Sequence, residues 1–465
     1  MRNMSFDIFA LRKKTAIRIL LKSLIWAFAL FGILFILLLT AILGMLSPRN
    51  GSVVSVPEKA ILQIDFDQKF DEMRPDSLLE EINSVPQASF YDLSLVISAA
   101  VLDNRIEAIA AKVGNSELSL AQIQELRNLI KMFRDSGKKA YVFSNGFGSF
   151  GGGMSEYYLA SVFDEIILQP GAETGITGIS IEMPFIRKLL DKAGIEPEFY
   201  ARHEYKNAFA SFTDEKMPEV LREELGKLGK NLFEQIVRET AKARGFRADR
   251  LKRLINQAPL DAKESLKERL VDKLEYQENM LAALEKEYSA QRIDWLDYFY
   301  SLKPSPKTAP VVAVLAVSGE IADGPSVLSP FKGDTVAGAD TFISQLKEIA
   351  EIENLRALVV RIDSPGGSYT AADTMRQALA DFKAEKQIPV IVSMSSYAAS
   401  GGYFIALPAD KIIADGASLT GSIGVLGGKP VLSGLWKKLD IVWDGVSFGE
   451  NAGILSLNQI GRAHV

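Results

Sequence analysis

The chain carries one long segment twice, and that repeat restricts its architecture more than any other feature of its 465 residues. Gly151 to Gly178 reads GGGMSEYYLASVFDEIILQPGAETGITG, and Ser393 to Gly424 reads SMSSYAASGGYFIALPADKIIADGASLTGSIG. Tyr157, Ala160, Ile167 and Thr174 match Tyr403, Ala406, Ile413 and Thr420 at one constant offset of 246 residues. A chain of this length exceeds the size at which a single core keeps growing, so at least two globular units are expected. The copies are not equal. Ser400-Gly401-Gly402 of the later copy faces Met154-Ser155-Glu156 of the earlier one, so a serine ahead of two glycines occurs once. Beyond a gap of two residues EFYARHEYKNAF meets VWDGVSFGENAG, which sets Lys206 opposite Glu450. One copy holds a candidate nucleophile, the other a candidate base.

KAILQIDF (Lys59 to Phe66) reads as the first strand of the first unit, and PVVAVLAVSGEI (Pro310 to Ile321) is its counterpart. SLKPSPKTAP, with three prolines and no periodicity, is the linker between them. The expected units are therefore 59–300 and 309–465. In the second, the apolar run LRALVVRID, the helically spaced TAADTMRQALADFKAEK and the strand-like IPVIVSMSS alternate, which implies an α/β fold with parallel βαβ units. The first unit continues to residue 300 through charged amphipathic stretches at 217–245 and 248–274 that are expected to be helical. The second stops at Val465, soon after the position matching Lys206, so it reads as truncated, without the later elements that would complete its core. The closing IGRAHV breaks the repeat alignment, and His464 is given no functional weight.

Leu24 to Leu46 is an uncharged apolar run, long enough at about 1.5 Å per residue to cross a hydrocarbon core of about 30 Å. Arg2, Arg12, Lys13, Lys14, Arg18 and Lys22 precede it against the single acid Asp7. The positive-inside rule then places a basic segment 1–22 in the cytoplasm, a single-pass anchor at 23–46 in the inner membrane and the rest on the periplasmic or extracytoplasmic side. A cleaved secretory signal is the alternative, disfavoured by the length of the apolar stretch.

With no cysteine, thiolate catalysis, disulfides and cysteine-ligated zinc are excluded. Only His203 and His464 are available for a multi-histidine metal site or a Ser-His-Asp triad. The net charge of −5 and the absence of clustered Lys and Arg in the soluble part give no nucleic-acid signal.

Asp363-Ser364-Pro365-Gly366-Gly367 follows a buried strand and precedes a helix, a place where glycines let backbone N–H groups approach a negatively charged ligand. A tight turn with no ligand reads the same residues equally well. KVGNSELSL, at the matching place of the earlier copy, has no glycine pair. Ser400 stands at a strand-to-helix turn. It is either an N-cap or an exposed nucleophile, and the two glycines after it, poor helix formers, favour a close approach to the backbone. A serine hydroxyl needs a base. A lysine serves if burial lowers its pKa from about 10.4. Most lysines are solvated surface charges, but Lys206 lies in the aromatic-rich FYARHEYKNAFASF. His203 is the rival base.

Taken together, DSPGG, AASGGY, TGSIG and YKNA resemble the signature segments of the signal peptide peptidase A family, also called protease IV, in its long tandem-domain form. The likeness runs from the apolar segment to about Leu457. It implies tandem Clp protease/crotonase-like domains and a Ser/Lys dyad without a cofactor. Ser400 is then the nucleophile, Lys206 the base and Ser422 of TGSIG the residue that orients the lysine. The implied oxyanion donors are the amides of Gly401 and Gly367, with Gly366 the less favoured choice. Peptide substrates such as cleaved signal peptides and short hydrophobic segments, and ring- or dome-like homo-oligomers with the tetramer as one form, follow from the same resemblance. MSSY ahead of AASGGY departs from the family's small residues, which is expected to alter the substrate channel and not the dyad. The alternatives are an acyl-CoA enzyme of the crotonase class and a membrane scaffold with a decayed site.

Overall fold

The computed structural model describes residues 31–37, 39–40, 55–72, 89–148, 152–303, 306, 308–328 and 335–459. The chain divides into two compact units, Met1–Ser55 with Pro75–Pro86, and Val56–Arg74 with Gln87–Val465. Of the first, residues 31–37 and 39–40 are helical, and Phe31, Ile33, Leu34, Phe35, Ile36, Leu37 and Leu39 are exposed. Among the described residues no helix is long and apolar enough to cross a membrane. The basic segment 1–22, most of the Leu24 to Leu46 run and the closing IGRAHV lie outside the described residues.

The second unit holds two parallel sheets. In the first the order is Lys273–Leu274, Glu165–Leu168, Lys139–Ser144, Ile106–Lys112, Ala60–Asp65, Gln291–Asp294. Its central strands are buried almost continuously because helices cover both faces, as a parallel sheet requires. The helix Leu120–Asp135 is fixed at its start by a capping box between Ser119 and Gln122. The stretch expected as helix over 248–274 is interrupted: helices Ala248–Ile255 and Ala262–Lys267 flank a strand Leu260–Asp261 that pairs with Glu173–Thr174. Pro259 has no N–H to donate and disfavours helical backbone at Ala258, which is why the run breaks there.

The second sheet runs Val311–Ser318, Leu355–Ser364, Val390–Ala399, Lys411–Ala414, and Leu419–Gly421 lies parallel to the end of Val390–Ala399. The repeat offset carries Glu165–Leu168 onto Lys411–Ala414, residue for residue. The two strands differ in cover, since Glu165–Leu168 is flanked by Lys273–Leu274 whereas all four residues of Lys411–Ala414 are exposed. Val317, Ile321, Phe342, Leu358, Val360, Ile362, Met375, Leu379 and Val392 form the core beneath this sheet.

Two seams join the sheets. The first is an antiparallel ribbon in which Glu196–Ala201 pairs with Leu426–Val431. The second is polar. Arg361 Nε lies 3.1 Å from Glu72 Oε2, and its Nη1 lies 2.7 Å from Glu125 Oε1. Burial pushes the Glu125 carboxyl up to about 7, against the pull of Arg361, and burial together with the Glu72 charge pushes Asp363 up to about 6. Both groups hold their protons to higher pH in the folded chain than in the unfolded one. Stability is therefore lost as the pH rises from about 4 to about 7. The melting temperature is expected to fall from about pH 4 to about pH 7, and Glu125→Gln to flatten that fall; a slope unchanged by the substitution would contradict the assignment.

Candidate active site

The site is built from two turns of the second sheet and one loop of the first. Strand Leu355–Ser364 ends in Pro365-Gly366-Gly367, after which Ser368 caps helix Tyr369–Lys386 through its side chain and the Ala371 N–H. Gly366 has φ +100°, and a Cβ there would lie 2.7 Å from both Gly401 N and Ser400 Cβ. A Cβ on Gly367 would lie 2.1 Å from Ile321 O. Only glycine fits either position without displacing backbone. The loop is pinned on its far side, where Ile321 N–H donates to Gly366 O at 2.9 Å and Ser368 N–H to Ile321 O at 2.8 Å.

Strand Val390–Ala399 ends at Ser400, which has φ 51° and ψ −116° and precedes the short helix Gly401–Ile405. A serine held at positive φ is strained, by about 1–3 kcal/mol, and persists where the surrounding fold fixes it. The fixing bond is visible: Ser400 N–H donates to Gly421 O at 2.8 Å. The Gly367 and Gly401 N–H groups have no acceptor among the described residues, and a Cβ on Gly401 would lie 3.4 Å from Gly367 N. Two free amides beside a hydroxyl can hold a developing oxyanion.

Ser422 follows directly on Gly421, so the bond that fixes Ser400 also brings Ser422 to the same corner. Lys206 enters this corner from the first sheet's side of the ribbon. Arg202 N–H donates to Val425 O at 3.1 Å, continuing the pairing of Ala201 with Leu426. Lys206, 6% exposed, donates from Nζ to Ser422 Oγ at 2.9 Å and also to the Ser422 carbonyl. Burial lowers the pKa of its amine below the ordinary lysine value. Ser400 and Lys206 share no hydrogen bond among the described residues; they meet through Gly421 and Ser422.

His203 is exposed and its imidazole makes no hydrogen bond among the described residues, while Glu450 is exposed as well. The MSSY segment differs from expectation: Ser395 and Ser396 are buried and bonded to the first sheet's side of the molecule, so they line no channel, and only Tyr397 is exposed. Sequence reasoning did not single out Ile321, which pins the glycine loop from another strand, and no local signal marks it.

In the earlier copy the corresponding turn is filled from within. Asp67 Oδ1 accepts from Gly114 N–H at 2.7 Å and from Asn115 N–H at 2.8 Å. Lys112 Nζ lies 3.2 Å from the same carboxylate. Glu156, at the place of Gly402, is buried and its carboxyl is pushed up by that burial.

The family description "Peptidase family S49" matches residues 132–291 and 381–461, together more than half of the chain. Protease 4 of Haemophilus influenzae is 28% identical over 453 residues, 92% of this chain and 72% of that protein. The chloroplastic serine protease SPPA of Arabidopsis thaliana is 28% identical over 393 residues, 83% of this chain and 56% of that protein. The chain thus spans between about half and three quarters of the length of these relatives. Among solved structures, the 1510-N membrane-bound stomatin-specific protease covers 53% of this chain and 99% of its own, with 13% identity and a TM-score of 0.30. On the extent of the family match, this chain belongs to peptidase family S49.

Proposed function

We propose that the chain is a serine endopeptidase working through a Ser400/Lys206 dyad on signal peptides and other short hydrophobic peptides. The observation that carries this reading is the buried Lys206 amine held on Ser422, one residue past the carbonyl that fixes Ser400. The neutral amine takes the Ser400 proton as Oγ attacks the scissile carbonyl. The carbonyl oxygen, now negative, is held by the Gly401 and Gly367 N–H groups, a contribution of about 3–4 kcal/mol per donor. Collapse breaks the C–N bond, and Lys206 returns the proton to the leaving amine. Water, deprotonated by Lys206, then attacks the acyl carbonyl; the bond to Ser400 Oγ breaks, Lys206 returns the proton to Oγ, and the carboxylic acid product leaves. Ser422 keeps the amine aligned in both halves of the cycle.

Two Clp protease/crotonase-like domains in tandem, assembling as homo-oligomers, fit this reading. The βαβ order of each sheet supports it, as do the glycine loop and serine turn at adjacent strand ends. Anchoring through 23–46 belongs to the same proposal and rests on the uncharged run and its basic flank. The test is cleavage of a quenched fluorescent peptide with a hydrophobic centre, together with labelling by a fluorophosphonate probe. Cleavage and labelling at Ser400 are expected. A folded protein that does neither would overturn the reading in favour of a scaffold.

A further inference from the structure

The MSSY segment is a bulge. Ile362 pairs with Met394 and Ser364 with Ala398, so strand Val390–Ala399 carries two more residues than its neighbour just before Ser400. In the first sheet Ile106–Lys112 and Lys139–Ser144 pair in unbroken register. A bulge bends its strand and redirects the residues that follow, and here Ser400 comes three residues after Tyr397. Its exact shape therefore bears on where the Ser400 hydroxyl sits.

Each bulge residue is held by a named partner. Tyr397 N–H donates to Asp363 Oδ1 at 2.9 Å. Ser396 Oγ donates to Ser119 Oγ at 2.7 Å. Ser395 Oγ donates to Glu72 Oε1, which also accepts from Gln122 Nε2 at 2.9 Å. Glu72 is 6% exposed, and its other oxygen accepts from Arg361 Nε at 3.1 Å. Arg361 in turn donates from Nη2 to Ser395 Oγ at 2.8 Å and from Nη1 to Ser393 Oγ at 2.9 Å. Glu72 lies between the first sheet's first two strands and Ser119 and Gln122 at the start of helix Leu120–Asp135, while the bulge and Arg361 belong to the second sheet. The earlier half thus reaches the bulge directly, at a place distinct from the Lys206 corner.

We propose that Glu72 is a positioning residue: through Ser395 and Arg361 it sets the bulge at 395–397 and so aims Ser400 at the Gly366–Gly367 loop. The proposal rests on Ser400 being the nucleophile. The carboxylate suits the task because one oxygen can clamp the bulge while the other holds the guanidinium that spans both strands. Misplacing a reacting group by about 1 Å costs on the order of 100-fold in rate, so a small relaxation of the bulge is enough to be read in turnover.

The experiment compares the full chain with Glu72→Gln, Ser395→Ala and the double variant, counting competent sites by burst titration. Glu72→Gln is nearly isosteric but loses the charge that holds Arg361. Its kcat per competent site is expected to fall about 10- to 100-fold with KM within about twofold. The double variant should fall no further than the worse single one, because both substitutions open the same clamp. Hydrogen exchange at the amides of residues 395–401 should quicken in Glu72→Gln while that of Leu358–Ile362 stays as it is. Unchanged kcat and unchanged exchange at 395–401 would overturn the proposal, as would additive losses in the double variant. An unfolded Glu72→Gln is bypassed by Ser395→Ala, which must show the same pattern more weakly. An inactive wild type would count against the peptidase reading alone, since the exchange comparison decides the bulge without turnover.

Discussion

Ser400→Ala and Lys206→Met are each expected to lower peptide cleavage by roughly 10⁴-fold, to a common floor that the double variant does not undercut. In the proposed mechanism the hydroxyl and the amine act as one device. Without the base the serine is a poor nucleophile, and without the nucleophile the base has no proton to take. Methionine matches the lysine stem in length and has no amine, so it fills the buried site beside Ser422 without leaving a cavity. Folding should survive, because a buried amine costs desolvation that methionine does not. An unchanged or higher melting temperature with activity lost would therefore separate chemistry from stability. If Lys206→Met kept more than about a tenth of the rate, a different base would be at work.

Gly366→Ala is expected to be the most damaging change outside the dyad. The added Cβ would lie 2.7 Å from Gly401 N and 2.7 Å from Ser400 Cβ, so it intrudes on the free amide and on the Ser400 side chain together. Neither contact is the far end of a flexible side chain, and φ +100° is itself poorly suited to alanine. Loss of one oxyanion donor typically costs about 10²–10³ in kcat, and strain at such a backbone position adds about 1–3 kcal/mol of destabilisation. Steady-state kinetics beside a thermal melt would check both effects. Alanine tolerated at 366 with kcat intact would mean the donors lie elsewhere.

What could be read from the sequence was what local chemistry marks. The offset of 246 places Glu165–Leu168 on Lys411–Ala414 because the repeat kept its strand lengths there. Ser400, Gly366 and Gly367 stand out because glycine pairs at strand ends are conspicuous. Lys206 was legible through its aromatic surroundings, two members of which, Phe199 and Phe209, stack with centroids 4.1 Å apart. The ribbon that delivers the lysine was not legible: Leu426–Val431 reads LGGKPV, whose glycines and proline disfavour a strand, and it forms only by pairing with Glu196–Ala201 across the molecule. Glu72 was hidden for a related reason, since it meets Ser395 across more than 300 residues of chain and no periodicity records such a contact. Over 248–274 the charged helical pattern was real on both sides of Pro259 and only its continuity failed.

On the proposed reading one site is assembled from both copies, with Ser400 supplied by the later and its base by the earlier. The most direct measurement is the rate of fluorophosphonate labelling against pH, with the adduct located by mass spectrometry, in the wild type and in Lys206→Met. The expected result is an adduct on Ser400, with a rate that climbs as a base titrates below the ordinary lysine value, and loss of that limb in Lys206→Met. An adduct on another residue, or the same pH limb persisting without Lys206, would contradict it.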